Sequence, residues 1–276
     1  MSERVQAPLG RRLLKVTGMQ QLGAYHVLSV ADPDGPTPQA GQFAMLATAE
    51  LWGGGAEDRP HLPRAFSVAR FKDGEAQFLL EDVGPGTRRL CELRAGDGLW
   101  VLGPLGLGFS APPAGQRAIL VGGGVGIAPL AIWQDQLEDQ CSVLLGFRDA
   151  AHTAGAALLR AGRVATDDGS QGHHGLVTDL LVQELEHAAG SEAATVYACG
   201  PPPMLEAVRA ICEQRAVPAQ LALESGMACG FGACFGCVVP KRGGGYLRVC
   251  VDGPVVDAGE LERVHSHGGH AAIGQA

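Results

Sequence analysis

The chain has 276 residues, of which 46% are hydrophobic and 18% charged, with a formal net charge of -8 at pH 7. That length exceeds one ordinary core and suits two or three domains, and the acidic balance argues against nucleic acid, whose phosphates call for a basic face. No apolar run reaches membrane-spanning length and the opening MSERVQAPLGRRLLKV lacks the apolar core of a signal peptide, so no membrane association is expected and the expected compartment is the cytoplasm.

From about residue 10 to 110 the chain reads as all-β. The runs LLKVTGM, AYHVLSV, QFAMLAT, AFSVARF, AQFLLEDV and LWVLGPLG alternate or are rich in strand formers, and ADPDGP, WGGGAEDRP, KDG and RAGDG separate them. Short strands at this spacing predict a small antiparallel barrel. Within it, Arg64-Ala65-Phe66-Ser67 follows a proline-rich approach. Arginine suits a pyrophosphate, Ser67 offers a hydrogen bond to a flavin edge, and Phe66 offers an apolar wall. The plainer alternative is a surface charge on an ordinary strand. Gly84-Pro85-Gly86-Thr87 resembles a phosphate-contacting turn that carries a hydroxyl. SAPPAGQ, residues 110 to 116, reads as a linker.

The texture then changes. RAILV, SVLLGFR and TVYACG read as strands, while LAIWQDQLED, HTAGAALLRAG, GLVTDLLVQELEHAAG and PPPMLEAVRAICEQRAV read as helices. Strands alternating with helices predict a parallel sheet with crossover connections. After the first strand, VGGGVGIAP supplies Gly122, Gly123, Gly124 and Gly126 and opens a helix. Such a turn aims unpaired N–H groups at an anion and suits a dinucleotide pyrophosphate. It departs from the strict G-x-G-x-x-G fingerprint, and a purely structural strand-to-helix turn is the alternative. Cys199-Gly200-Pro201 closes the strand TVYA. Ligands of open α/β sheets bind beyond the carboxyl ends of strands, so a thiol at Cys199 is placed to touch the reacting face of a nicotinamide. A buried cysteine ending a strand is the plainer reading.

Alternation stops near Leu221, where the most specific signal begins. Cys229, Cys234, Cys237 and Cys250 are spaced C-x4-C-x2-C-x12-C within ESGMACGFGACFGCVVPKRGGGYLRVC. The first three match the loop that holds a plant-type [2Fe–2S] cluster, although the last spacer is shorter than that of plant ferredoxins. Structural zinc favours two short ligand pairs separated by a longer spacer. Here three cysteines crowd one glycine-rich loop, and the fourth comes from another segment. His265, His267 and His270 lie in a tail that reads as disordered.

Taken in order, R-x-x-S, G-x-G-T, GPLG, the glycine turn, CGP and the cysteine run form a specific succession. The chain resembles the electron-transfer subunit of the two-subunit, NAD-linked dihydroorotate dehydrogenases, within the wider ferredoxin–NADP reductase superfamily. The likeness runs from about Leu13 to Asp257 and is strongest in GMACGFGACFGCVVP, VCVDGPVV, GLVTDLL and YACGPPPML. It implies an FAD-binding β-barrel over residues 1–112, an NAD-binding α/β domain over 113–222, and a [2Fe–2S] domain over 223–276. Arg64 to Ser67, Gly86 and Thr87 would bind FAD, with Leu79, Leu80 and Glu81 on the strand beside it. The glycine turn, Cys199, Gly200 and Pro201 would receive NAD(H), and the four cysteines would ligate the cluster. Ala65 stands where the family often has proline, and the loop AELWGGGAEDRPHLP is longer than expected. The implied partner is an FMN-containing dihydroorotate dehydrogenase catalytic subunit in a hetero-oligomer, a heterotetramer, of pyrimidine biosynthesis. Phe231, Phe235 and Val238 are expected either to dock that partner or to cover the cluster. The alternatives are a reductase subunit of a ferredoxin, hydrogenase or sulfur-reducing system, and a non-catalytic iron–sulfur redox sensor. Arg148, after the second α/β strand, is placed to meet the ribose region of either nicotinamide cofactor.

Overall fold

A computed structural model of the chain describes residues 10–53, 59–137, 141–187 and 193–262. Residues 54–58 of the long loop and the tail histidines His265, His267 and His270 lie outside the described residues.

The six expected strands close into an antiparallel barrel. They are β1 (Arg12–Leu22), β2 (Tyr25–Ala31), β3 (Phe43–Thr48), β4 (Arg64–Lys72), β5 (Glu75–Glu81) and, after helix α1 (Pro85–Cys91), β6 (Gly98–Leu105). Their order around the barrel is β1-β2-β5-β4-β3-β6. β3 is buried along its whole length, because both of its faces are covered. Ala44 and Leu46 point into the barrel core, whereas Phe43 and Met45 point out into an apolar cluster with Cys237, Val249 and Cys250. A strand buried on both faces reads as a continuous apolar run, which is what FAMLAT shows. The Gly84–Thr87 string is the start of α1 rather than a free turn.

The second layer contains β7 (Arg117–Gly123), α2 (Ala128–Leu137), β8 (Cys141–Phe147), α3 (Ala150–Thr153), β9 (Arg163–Thr166), β10 (His173–His174), α4 (Val177–His187), β11 (Ala194–Cys199), α5 (Pro202–Gln214) and β12 (Ala219–Ala222). The cysteine region adds β13 (Val238–Pro240), β14 (Tyr246–Arg248), α6 (Val249–Asp252) and β15 (Val255–Asp257). The larger sheet runs β10-β9-β8-β7-β11-β12-β15, parallel except for β15, which pairs antiparallel with β12. The chain therefore leaves this sheet after β12, forms the cysteine module, and returns to the sheet edge.

Alternate side chains of the central strands feed two cores. Ile119 and Val121 of β7 pack with Leu180, Leu181 and Leu205 of α4 and α5. Ala118 and Leu120, on the other face, join Leu130 and Trp133 of α2 in a core continuous with the barrel. Each fully buried leucine contributes about 1.5–3 kcal/mol, so this shared core holds barrel and sheet together. Arg70 on β4 adds a polar tie to Asp135 on α2 at 2.9 Å.

One expected helix is corrected. HTAGAALLRAG forms only the last residues of the four-residue α3 and a short 3-10 turn over Ala154–Leu158. The segment is bent tightly against the barrel, where a methyl group on Gly155 would come within 2.9 Å of the Tyr25 ring. β9, β10 and β12, of two to four residues each, are too short to carry a periodic signal.

Candidate functional site

The carboxyl ends of β7, β8, β9 and β11 open onto a cavity of about 470 Å³. Gly123, Gly124, Arg148, Asp167, Pro201 and Met204 line its sheet side, and Tyr25 and Glu81 face them from the barrel. This is where an open parallel sheet binds nucleotides. Arg148 forms an ion pair with Glu81. His152 lies between two carboxylates, with Nε2 3.3 Å from Glu81 and Nδ1 2.6 Å from Asp149. Glu81, which the resemblance places beside a flavin, thus faces the nucleotide cavity.

A second cavity, of about 480 Å³, lies between the barrel, the glycine turn and the cysteine module. Ala65, Phe66, Ser67, Leu79 and Gly126 line it. Leu80 is fully buried in the barrel core and lines neither cavity. Val125 and Glu224 belong to both linings, so the two cavities meet there. Glu224 is open to solvent but set deep in this concave junction, and burial raises its pKa above the ordinary glutamate value. No sequence signal singled out Glu224. Its place directly ahead of the cysteine loop was the only available clue.

Arg64 and Gly86 are brought together. The guanidinium lies over Gly86 so closely that a methyl group there would stand 2.6 Å from Nε. Arg64 also donates to the Leu62 carbonyl at 2.6 Å and sits over the Trp52 ring, leaving its charge without a carboxylate partner in the ion pairs of the described residues. The Thr87 hydroxyl is engaged locally. It accepts from the N–H groups of Val83 and Gly84 at 2.9 and 3.0 Å and donates to the Gly84 carbonyl, so it caps α1.

Gly122 is buried beneath the turn, where a methyl group would meet Ile127 at 2.9 Å. Gly200 packs against Met204, next to Pro201. Cys199 is 3% exposed and lines neither cavity. Burial first, and the Glu224 charge second, hold its thiol well above the ordinary range.

The four loop cysteines include one close pair. Cys237 Sγ stands 3.3 Å from Cys250 Sγ, and Cys234 lies near enough to Cys229 to favour its thiolate. No three His, Cys, Asp or Glu side chains among the described residues converge on a single ion position. A close thiol pair with two further cysteines beside it, and no three donors converging on one point, suits a binuclear cluster, in which each iron takes two thiolates, better than one tetrahedral ion. Burial opposes a thiolate at Cys229. The N–H groups of Phe231, Cys234 and Ala233 and the Cys234 thiol outweigh it and bring Cys229 down to about 6. Cys250 is instead pushed up to about 12, by burial and then by the facing Cys237. A buried thiol of that kind ionises only when a metal supplies the charge. The donor set therefore fits an iron–sulfur group.

The loop is pressed onto the barrel. Gly230 has φ +79, and a methyl group there would stand 2.5 Å from Met45 Cγ on β3. Outside the loop, Phe231 and Phe235 are each 59% exposed, and Arg248 lies 5.5 Å over the Phe235 ring.

Comparisons with known proteins agree with this geometry. Residues 224–262 match the family model for the iron-sulfur cluster binding domain of dihydroorotate dehydrogenase B, and residues 120–210 match that for the oxidoreductase NAD-binding domain. The chain is 41% identical over 235 residues to the dihydroorotate dehydrogenase B (NAD(+)) electron transfer subunit of Geobacillus thermodenitrificans, covering 81% of this chain and 86% of that one. It is 38% identical over 232 residues to the corresponding subunit of Caldanaerobacter subterraneus, covering 82% and 88%. Among solved structures it is similar in fold to that of an NADH-dependent reduced ferredoxin-NADP oxidoreductase, with TM-score 0.76, 24% identity and coverage of 93% and 92%. It is also similar in fold to a ferredoxin NADP+ reductase from Neisseria gonorrhoeae with bound FAD and NADP, with TM-score 0.57, 19% identity and coverage of 75% and 92%.

Proposed function

The chain belongs to the family of electron transfer subunits of NAD-dependent dihydroorotate dehydrogenase B, and we propose that its two joined cavities and its cysteine loop hold three redox groups in sequence: NAD(H), FAD and a [2Fe–2S] cluster. It is an oxidoreductase subunit with an NAD-binding and an iron–sulfur domain. When bound, the nicotinamide exchanges hydride, the flavin converts two-electron into one-electron chemistry, and the cluster carries single electrons.

The observation that carries this reading is the shared wall of the two cavities at Val125 and Glu224, with Phe43 linking the second cavity to the apolar cluster of Cys237 and Cys250. Arg64, held over Gly86, binds the FAD pyrophosphate as a cation with no carboxylate partner among the described residues. Ala65, Phe66, Ser67 and Leu79 wall the ring. Phe66 and Leu79 exclude water and Ser67 supplies a polar contact. Gly123, Gly124 and Pro201 receive the dinucleotide. Glu224 places a carboxyl whose pKa is raised by burial where the cavities meet, and Cys199, a buried thiol held neutral, contributes low-polarity surroundings. Cys229, Cys234, Cys237 and Cys250 ligate the cluster. Residues 1–112, 113–222 and 223–276 are assigned as flavin, nucleotide and cluster units, with β15 completing the sheet of the second.

The chain is a subunit of a dihydroorotate dehydrogenase B complex. We assign its partner as the FMN-containing catalytic subunit, docked on the exposed face bearing Phe231 and Phe235. The test is co-expression of this chain with a dihydroorotate dehydrogenase catalytic chain. Orotate formation becomes linked to NAD+ reduction only when both are present. Retention of dihydroorotate oxidation with no NADH produced by the complex defeats the reading.

A further inference from the structure

The barrel wall of the nucleotide cavity consists of Tyr25 and Glu81, register partners on β2 and β5. The Tyr25 side chain is held from several sides. The residue is 1% exposed, its ring stands edge-on to His152 at 5.4 Å and 80°, and Gly155 leaves room for it where a methyl group would come within 2.9 Å. The hydroxyl therefore has a set direction. It points toward Gly124, 4.0 Å from where a methyl group on that residue would lie. The other large buried phenol, Tyr197, donates to the Ser110 carbonyl at 2.9 Å. The Tyr25 hydroxyl makes no hydrogen bond to any of the described residues, although it borders a cavity. The hydroxyl thus keeps its donor open to the cavity, and a fixed donor aimed at the glycine turn is placed to meet an acceptor bound there.

We propose that the Tyr25 hydroxyl donates a hydrogen bond from the barrel to the diphosphate of the nicotinamide dinucleotide bound over the Gly123–Gly124 turn. The inference rests on the NAD-binding reading above and adds a positioning residue from the opposite domain. Backbone N–H groups of the turn hold the diphosphate from the sheet side, and Tyr25 holds it from the barrel side. Burial, and then the Glu81 charge, keep the phenol protonated against the opposing effect of Arg148, with Asp149 adding to the rise. It is therefore a neutral donor. Arg148 pairs with Glu81 and so offsets the repulsion that this carboxylate would exert on a diphosphate. The contact also ties the barrel to the nucleotide domain when the dinucleotide is bound.

Tyr25→Phe removes the hydroxyl and keeps the ring against His152 and Gly155. Binding of NAD+, ADP and adenosine to flavin- and cluster-loaded protein is measured by calorimetry, with melting temperature and flavin content as checks on the fold. The variant is expected to bind NAD+ and ADP about tenfold more weakly, the loss appropriate to a hydrogen bond to a charged group, and to bind adenosine as the parent does. Unchanged ADP affinity in the variant overturns the assignment, whether or not NAD+ is weakened. Equal weakening of adenosine also overturns it, because the effect then lies outside the diphosphate. Failure of the parent protein to bind both NAD+ and ADP overturns the nucleotide reading and this inference together.

Discussion

Phe43 on β3 and Ser67 on β4 are register partners, and both line the second cavity. Phe43 also belongs to the apolar cluster that contains Cys237 and Cys250. Neighbouring strands lie roughly 4.8 Å apart, so β4, which carries Ser67, and the cysteine module share one intervening strand. Two positions along, Met45 meets Gly230 of the cysteine loop. Gly230→Ala combines a positive φ with a contact that the loop or the buried Met45 side chain must move to relieve. The expected cost is more than about 1 kcal/mol, and it falls on the loop. Iron and acid-labile sulfide per chain are expected to drop, with flavin content retained.

Cys234→Ser removes the most exposed of the four loop cysteines. The reduced protein is expected to lose its [2Fe–2S] electron paramagnetic resonance signal. An unchanged spectrum removes Cys234 from the ligand set.

Arg64→Ala removes the cation over Gly86. Hydrogen bonds between charged groups are worth about 1.5–3 kcal/mol, so FAD affinity is expected to fall by about 10- to 100-fold. Arg64→Lys recovers only part of it, because an ammonium does not reproduce a planar fork. Flavin fluorescence titration of the apoprotein measures both variants.

Burial raises the pKa of Glu224, so its carboxyl holds its proton to a higher pH than an ordinary glutamate. NADH-driven dye reduction is expected to show a pH transition above the ordinary value of about 4.3. In Glu224→Gln that transition disappears. Persistence of the same transition in the variant assigns it to another group.

A structural carboxylate behaves in the opposite sense. Burial alone would raise Glu184, but hydrogen bonds from Ser142 and Arg117 outweigh it and hold its pKa below the ordinary value. These bonds, at 2.7 and 2.9 Å, join β7, β8 and α4. A lowered folded-state pKa contributes stability that is fully present above the unfolded value of about 4.3 and is lost as pH falls through the folded value. Glu184→Gln is expected to cost about 1–2 kcal/mol at pH 7. The gap from the parent closes on acidification below the unfolded value. Thermal melts followed by circular dichroism across that range measure it.

The parts of the fold that were legible in the sequence share a physical character. QFAMLAT, AQFLLEDV and RAILV are local apolar patterns, and each forms a strand because its side chains alternate between faces that are then buried. The helix expected around HTAGAALLRAG failed for the converse reason. Its composition favours a helix, but Gly155 must pass close to Tyr25, 130 residues earlier in the numbering, and that packing bends the segment. Thr87 likewise reads as a phosphate ligand in a four-residue string, whereas the structure shows its hydroxyl capping α1.

The amino-acid sequence by itself determined the cysteine loop, the glycine turn and the order of barrel, sheet and cluster module. These depend on spacing within a few residues, where chain geometry leaves little freedom. Tertiary structure alone decided that Glu81 faces Arg148 across 67 residues, that Val125 and Glu224 join two cavities, and that the Tyr25 hydroxyl points at the glycine turn. Such juxtapositions arise when distant segments close on one another and pack, and no local pattern encodes them.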